Sequence, residues 1–403
     1  MKAGSLRNRP GYRWLICINA TLIMFCAVGL IISAFSIFLP YIRDLNGFTA
    51  TQTNLLLTFR TLSQMVGILC ISYYYKKLSY RVGAAIALTV LAFGFALYGL
   101  ADSYAMYCTA AIICGLAAGF SSSVGSMAIN EWFVKDKALA TSICAAGTGI
   151  ASIVMPVVVT AVVENFSLRA AFWMEGAFIL LIAVFTLFAL QKNPNQITSD
   201  APANLPADAP RKKSNFNIPL TNALMLSAGV ALFGLASYGI MGGLAQLLRE
   251  AYSADVTSYL VTGFGITMFI GKLVYGRIAD RIGLLRANYV AFGALIVGSL
   301  GLFLFYRSLP LLILSIIIIG FGMPLSTVTS PLLATNFAAP GRYMNVLKSF
   351  SFIQTFGGFL VSYVTGFFAD LTGSNKLLFL ILTFVGLASA FLVQLSTRKA
   401  LSK

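Results

Sequence analysis

The sequence predicts an all-α membrane protein of twelve transmembrane helices, arranged as two pseudo-symmetric halves of six. Three observations lead there. Hydrophobic residues make up 59% of the 403 and charged residues 10%, against roughly a quarter charged in soluble domains, so the chain cannot cover itself with polar surface. Its apolar residues fall in twelve runs of membrane-spanning length. The one long polar stretch, Gln191 to Asn217, divides those runs six and six.

The runs lie near 14–39, 52–74, 82–101, 104–130, 139–163 and 170–190 in the first half (1–190), and near 218–248, 256–275, 286–305, 309–333, 345–369 and 376–396 in the second (218–403). Lipid offers the backbone no hydrogen bonds, and runs this long suit helices rather than barrel strands. The head, Met1–Arg13, is basic and short, and no small-residue cleavage site follows the first run, which therefore reads as a retained helix. The segment 191–217 carries Pro194, Pro202, Pro206 and Pro210 and ends in Arg211, Lys212 and Lys213. It reads as a flexible linker.

A net charge of +16 would point to nucleic acid in a soluble protein, but its distribution points elsewhere. With the N-terminus inside, the predicted cytoplasmic segments hold 20 of the 28 Lys and Arg residues, and the outside loops hold five: Arg43, Arg169, Arg249, Arg307 and Lys376. This is the positive-inside pattern. It predicts a multi-pass protein of the cell membrane with both termini in the cytoplasm and no nucleic-acid partner. The six cysteines all lie in apolar runs of the first half, without zinc-type spacing, and there is no histidine. Histidine proton relays, imidazole metal sites and Ser-His-Asp catalysis are thereby excluded. Lys272 after Gly271 is no phosphate loop, because Ile266 and Leu273 stand where a glycine and a Ser/Thr are required. Neither a cofactor, a metal nor an enzyme activity is expected, and a monomer is.

Two short segments repeat across the halves. Setting Gly83 on Gly283 places KKLSYRVG (76–83) over GRIADRIG (276–283), matching Arg81 with Arg281, and both fall between the second and third run of their half. GRIADRIG resembles the signature loop of the major facilitator superfamily, and the number of runs and the central linker fit that fold. EWFVKDKALATSICAAGTGIAS (131–152) and LRAAFWMEGAF (168–178) are similar to segments of its monocarboxylate transporter and oxalate–formate antiporter branch. The resemblance implies alternating access, with Gly276, Arg277, Asp280, Arg281 and Gly283 as gating residues and Lys272 where the branch places a substrate-binding arginine. Two departures stand out. Lys76 and Tyr80 replace the glycine and aspartate of the first-half loop, which leaves Asp280 as the intact copy of the latch. Met268 occupies a position where proton-coupled members of the branch carry an aspartate.

A charge inside a membrane segment is costly and marks function by default. Arg60, Lys272 and Lys348 qualify, while no acid lies as deep; Glu175, a turn or so inside its run, comes nearest. Cations facing a cavity call for an anion, and a diffusible carboxylate supplies one. Each has a plainer alternative: Lys348 and Lys272 snorkelling to the headgroups, and Arg60 binding helix-end carbonyls or pairing with Glu175. Gln64, Ser126 and Gln354, with Ser121, Ser122 and Ser123, are candidate hydrogen-bonding partners of substrate, and Tyr238 and Phe35 are aromatic candidates. The same residue types also bridge helices or pack. The expected function is transport of a small organic anion, a mono- or dicarboxylate, by exchange or uniport. Proton symport, export of lipophilic compounds and a non-transporting membrane sensor are the alternatives.

Overall fold

The computed structural model describes residues 11–133, 135–191, 220–338, 342–372 and 374–401. Apart from Gln191, the expected linker lies outside the described residues, as does most of the basic head. All regular structure among the described residues is helical. α1 (Tyr12–Met24) continues through a π-helical stretch (Phe25–Ala34) into α2 (Phe35–Asn46) as one span. There follow α3 (Ala50–Lys77), α4 (Tyr80–Leu100), α5 (Tyr104–Ser121) with α6 (Val124–Trp132), α7 (Lys137–Asn165) and α8 (Leu168–Ala189). The second half contains α9 (Leu220–Arg249), α10 (Ala254–Ile282), α11 (Leu284–Phe305), α12 (Leu309–Gly320), α13 (Pro324–Thr327), α14 (Thr329–Phe337), α15 (Tyr343–Thr372) and α16 (Lys376–Leu401). Eleven stretches among the described residues are long and apolar enough to cross a bilayer; α15 is a further helix of 30 residues.

Local chemistry explains where the helices start. The hydroxyls of Thr49, Ser79, Ser103 and Ser167 each accept from the backbone amide three residues on, and Gln52 returns the bond to Thr49 as a capping box. Two features differ from the sequence reading. The stretch after Gly276 is not a loop: α10 runs on to Ile282, so Arg277, Asp280 and Arg281 ride on its last turns, and only Gly283 (φ 86°) leaves the helix. The fourth and tenth spans are also interrupted, after Ser121 and after Gly320.

Helices within each half pack chiefly on one another: α3 on α5 and α4 on α8 in the first, α9 on α15 and α16 and α11 on α16 in the second. Across the halves the main contacts are α7 with α10 and α3 with α15. In the first half, Gly115 and Gly119 of α5 lie directly against the backbone of Arg60 and Gln64 of α3, where a Cβ would have no room. This small-residue contact fixes the height of two candidate site residues relative to the broken fourth span.

Candidate functional site

A cavity of about 60 Å³ lies between the halves, lined from α1, α3, the α5–α6 junction, α9, the α13–α14 junction and α15. That volume is room for a handful of waters. Six predicted residues meet there, Gln64, Ser122, Ser123, Ser126, Tyr238 and Gln354. Apart from the three serines of the α5–α6 junction, each arrives on a different helix, which is why their proximity is invisible along the chain. Hydroxyls dominate the rest of the lining, with Ser326, Thr327, Ser330, Ser351 and Thr355 from the second half, and among the described residues the lining contains neither a carboxylate nor a cation. Gln354 is held in place: it accepts from Ser330 Oγ at 2.7 Å and donates to the Ser326 carbonyl. Thr355 Oγ1 donates to the Ser351 carbonyl at 2.8 Å.

The three membrane cations stand back from this lining. Arg60 lies one helical turn from Gln64, nearly buried, with Nη1 donating to the Ile31 carbonyl in the π-helical stretch. Its guanidinium lies over the Phe35 ring, 5.6 Å from the centroid. Arg60 Nε has no hydrogen-bond partner among the described residues. Neither alternative for Arg60 is seen among the described residues: the carbonyl it binds lies within a span and not at a helix end, and Glu175 does not pair with it. Glu175 is fully buried in α8, and neither of its oxygens has a hydrogen-bond partner among the described residues. Phe35 packs into an aromatic cluster with Phe38 and Tyr98 and does not line the cavity.

Lys272 is fully buried too, so it does not snorkel. Its ammonium crosses to the other half and donates to Thr148 Oγ1 and, at 3.2 Å, to the Ala145 carbonyl, both on α7. Lys348 is half-buried on α15 beside Leu347, which does line the cavity.

The predicted gating residues gather at one end of the α7–α10 seam. The Asp280 carboxylate accepts the backbone N–H groups of Ala138 (3.0 Å) and Leu139 (2.8 Å), the open amides at the start of α7. These are charge-assisted bonds to a helix N-terminus, favoured by the helix dipole. The local N-cap residue, Asp136, has left-handed backbone (φ 56°) and makes no cap bond of its own, so the cap comes from the opposite half. Gly276 lies against Ser142 and the Ala138 carbonyl, with no space for a side chain. Arg277 and Arg281 are exposed. The equivalent position at the start of α15 has no such carboxylate among the described residues; Ser72 Oγ approaches Asn345 Oδ1 at 3.3 Å instead. Tyr343 adds a 3.4 Å bond to the Ser126 carbonyl.

Sequence reasoning missed the contribution of the second half's hydroxyls, Ser326, Thr327 and Ser330. The available signal was GFGMP (320–324), a Gly/Pro interruption in the tenth run at the level of the Ser121–Ser123 run in the fourth. Paired interruptions at corresponding positions of two halves point to a binding site.

Residues 21–362 match the Major Facilitator Superfamily, and the chain belongs to that family of transporters. It is 24% identical over 413 residues to monocarboxylate transporter 12 of Xenopus laevis, covering 94% of this chain and 87% of the relative. The human protein of that name is likewise 24% identical, over 95% of this chain and 80% of its own length. The fujikurins efflux protein of Gibberella fujikuroi is 24% identical across 72% of this chain and 62% of the relative. Among solved structures, the fold is similar to that of the human organic anion transporter MFSD10 (TM-score 0.73, 15% identity, 96% and 100% coverage). It is also similar to the proton:xylose symporter XylE (TM-score 0.77, 14% identity, 94% and 95% coverage).

Proposed function

We propose that this Major Facilitator Superfamily transporter moves a small organic anion, a mono- or dicarboxylate, by alternating access of its two halves around the central cavity. The observation that carries this reading is Arg60. It is a buried guanidinium in a membrane helix, one turn from the cavity-lining Gln64, with an unpartnered Nε, and the cavity lining holds no acid among the described residues. Leaving such a donor unsatisfied costs on the order of a few kcal/mol, and a carboxylate meets the need in a geometry a guanidinium favours. Lys272 is a second cation with no acid against it, held by two neutral oxygens. The monocarboxylate transporters among the relatives agree in substrate class.

Met268, fully buried one turn before Lys272, offers no proton site there, which supports exchange or uniport over proton symport through that helix. The Asp280 cap on α7 serves as the cytoplasmic latch, and both termini lie on that side. Uptake of radiolabelled carboxylates into proteoliposomes tests the reading, with wild type beside Arg60→Ala and Lys272→Ala. Saturable uptake that falls at least tenfold in either variant is expected; wild-type vesicles that take up no carboxylate overturn it. The efflux proteins among the relatives make a thermal-shift comparison of organic anions with lipophilic cations a useful second arm. Stabilisation by the cations alone would favour an exporter.

A further inference from the structure

The fourth and tenth spans, corresponding helices of the two halves, break at the level of the cavity and restart as helices of nine residues each, α6 and α14. Both restarts point their N-termini at the cavity, since Ser123 and Ser126 of one and Thr327 and Ser330 of the other line it. In α6 the first intrahelical bond runs from Met127 N–H to the Ser123 carbonyl (3.0 Å), and in α14 from Leu332 N–H to the Val328 carbonyl (3.3 Å). The amides ahead of these bonds belong to the open ends of the helices. Pro331 falls in the first turn of α14, where a missing N–H costs least.

The side chains at these ends give an independent indication of a ligand. Ser123 occupies the N-cap of α6, yet its hydroxyl caps nothing. It is 5% exposed and Ser126 is 6% exposed, and among the described residues neither hydroxyl has a hydrogen-bond partner. Thr327 Oγ1 is buried and likewise unpartnered. Three hydroxyl donors and the open amides of two helix N-termini therefore converge on one space whose lining carries no ion among the described residues. Donors gathered in this way suit a group that only accepts hydrogen bonds better than a cation. A carboxylate has about four lone-pair positions to offer the hydroxyls and amides.

We propose that the substrate carboxylate is seated between the N-termini of α6 and α14, hydrogen-bonded by Ser123, Ser126 and Thr327. Arg60 and Lys272 stand behind the lining in this conformation and add their field; direct contact between the Arg60 guanidinium and the carboxylate requires that side chain to turn toward the cavity during the transport cycle. The proposal rests on the reading of the protein as an organic anion transporter.

Equilibrium binding of radiolabelled acetate, lactate and oxalate to the purified full-length protein tests it. Ser126→Asp, which puts a negative charge on the first turn of α6, abolishes binding, while the neutral Ser126→Asn, which only loses the hydroxyl, weakens it by a clearly smaller factor. Ser123→Ala combined with Thr327→Val weakens binding about tenfold or more. The size-exclusion profile and helical circular dichroism establish that each variant is folded; if Ser126→Asp is not, the Ser123/Thr327 pair decides. Wild-type affinity in Ser126→Asp or in that pair, with loss in Arg60→Ala, overturns the seat and leaves the anion-transport reading intact. A wild type that neither binds nor transports any of the three overturns both.

Discussion

Lys272 and Thr148 meet across the seam between the two halves of the chain, the fully buried ammonium of α10 donating to the hydroxyl on α7. Thr148 in turn donates to the Ala145 carbonyl at 3.0 Å, and Lys272 shares that carbonyl at 3.2 Å. The cluster is closed and neutral but for the lysine. An ammonium engaged in this way is withheld from the cavity, so any direct contact between Lys272 and substrate requires the seam to open.

Thr148→Val keeps the shape of the side chain and removes its oxygen, leaving Lys272 a single acceptor. We expect a destabilisation of about 1–3 kcal/mol, the cost of a buried donor losing its partner, read as a lowered midpoint of thermal unfolding in detergent. Thr148→Ser, which retains the hydroxyl, should unfold within a degree or two of wild type. Equal loss in both would mean that the methyl group matters and the bond does not.

Asp280→Ala removes both bonds from the start of α7, where Asp136 makes no replacement cap. The seam should loosen at that end. A cysteine introduced at Ser142, which lies beneath Gly276, should react with a maleimide several-fold faster in the Asp280→Ala background. Asn345→Ala at the equivalent position of α15 removes only a contact of 3.3 Å between exposed side chains and should leave the rate within twofold.

Gly276→Val drives two methyl groups into Ser142 and the Ala138 carbonyl. Backbone cannot yield there as a flexible side chain would. Transport in proteoliposomes should fall at least tenfold with insertion and expression unchanged, and by more than in Asp280→Ala, because a steric block cannot be bridged by water. Near-normal transport would show that this face of the seam opens and closes without close contact.

Arg60→Lys preserves the charge but loses the planar fork that reaches the Ile31 carbonyl while presenting Nε elsewhere. Carboxylate uptake should show a KM raised about tenfold, with a smaller effect on the maximal rate. Phe35→Leu removes the ring beneath the guanidinium, a contact worth about 0.5–2 kcal/mol, and should raise KM by a lesser factor. Kinetics unchanged in Arg60→Lys would assign this residue to structure alone.

Much of the fold was legible because lipid imposes a length rule on the chain. A run such as 52–74 has to satisfy its backbone internally across the bilayer, so composition alone places α3 to within a few residues at each end. The signature around Asp280 was legible for a different reason: its glycines answer local demands, Gly283 for its positive φ and Gly276 for contact with α7. Arg60 and Lys272 stood out because a buried cation is expensive wherever it sits. What those cations touch was not legible. The partner of Lys272 lies 124 residues away in sequence, on a helix whose Thr148 resembles any other threonine in an apolar run. The gathering of Ser126, Tyr238 and Gln354 depends on the rotations and heights of three helices, and the role of Ser123 and Thr327 on where two spans break. The chain by itself determined the number of spans to expect, the family and the residues too costly to be incidental. Only the packing of the helices decided which polar groups face one another, because hydrogen-bond geometry is set by close contacts between segments far apart in sequence and not by the hydrophobicity of either.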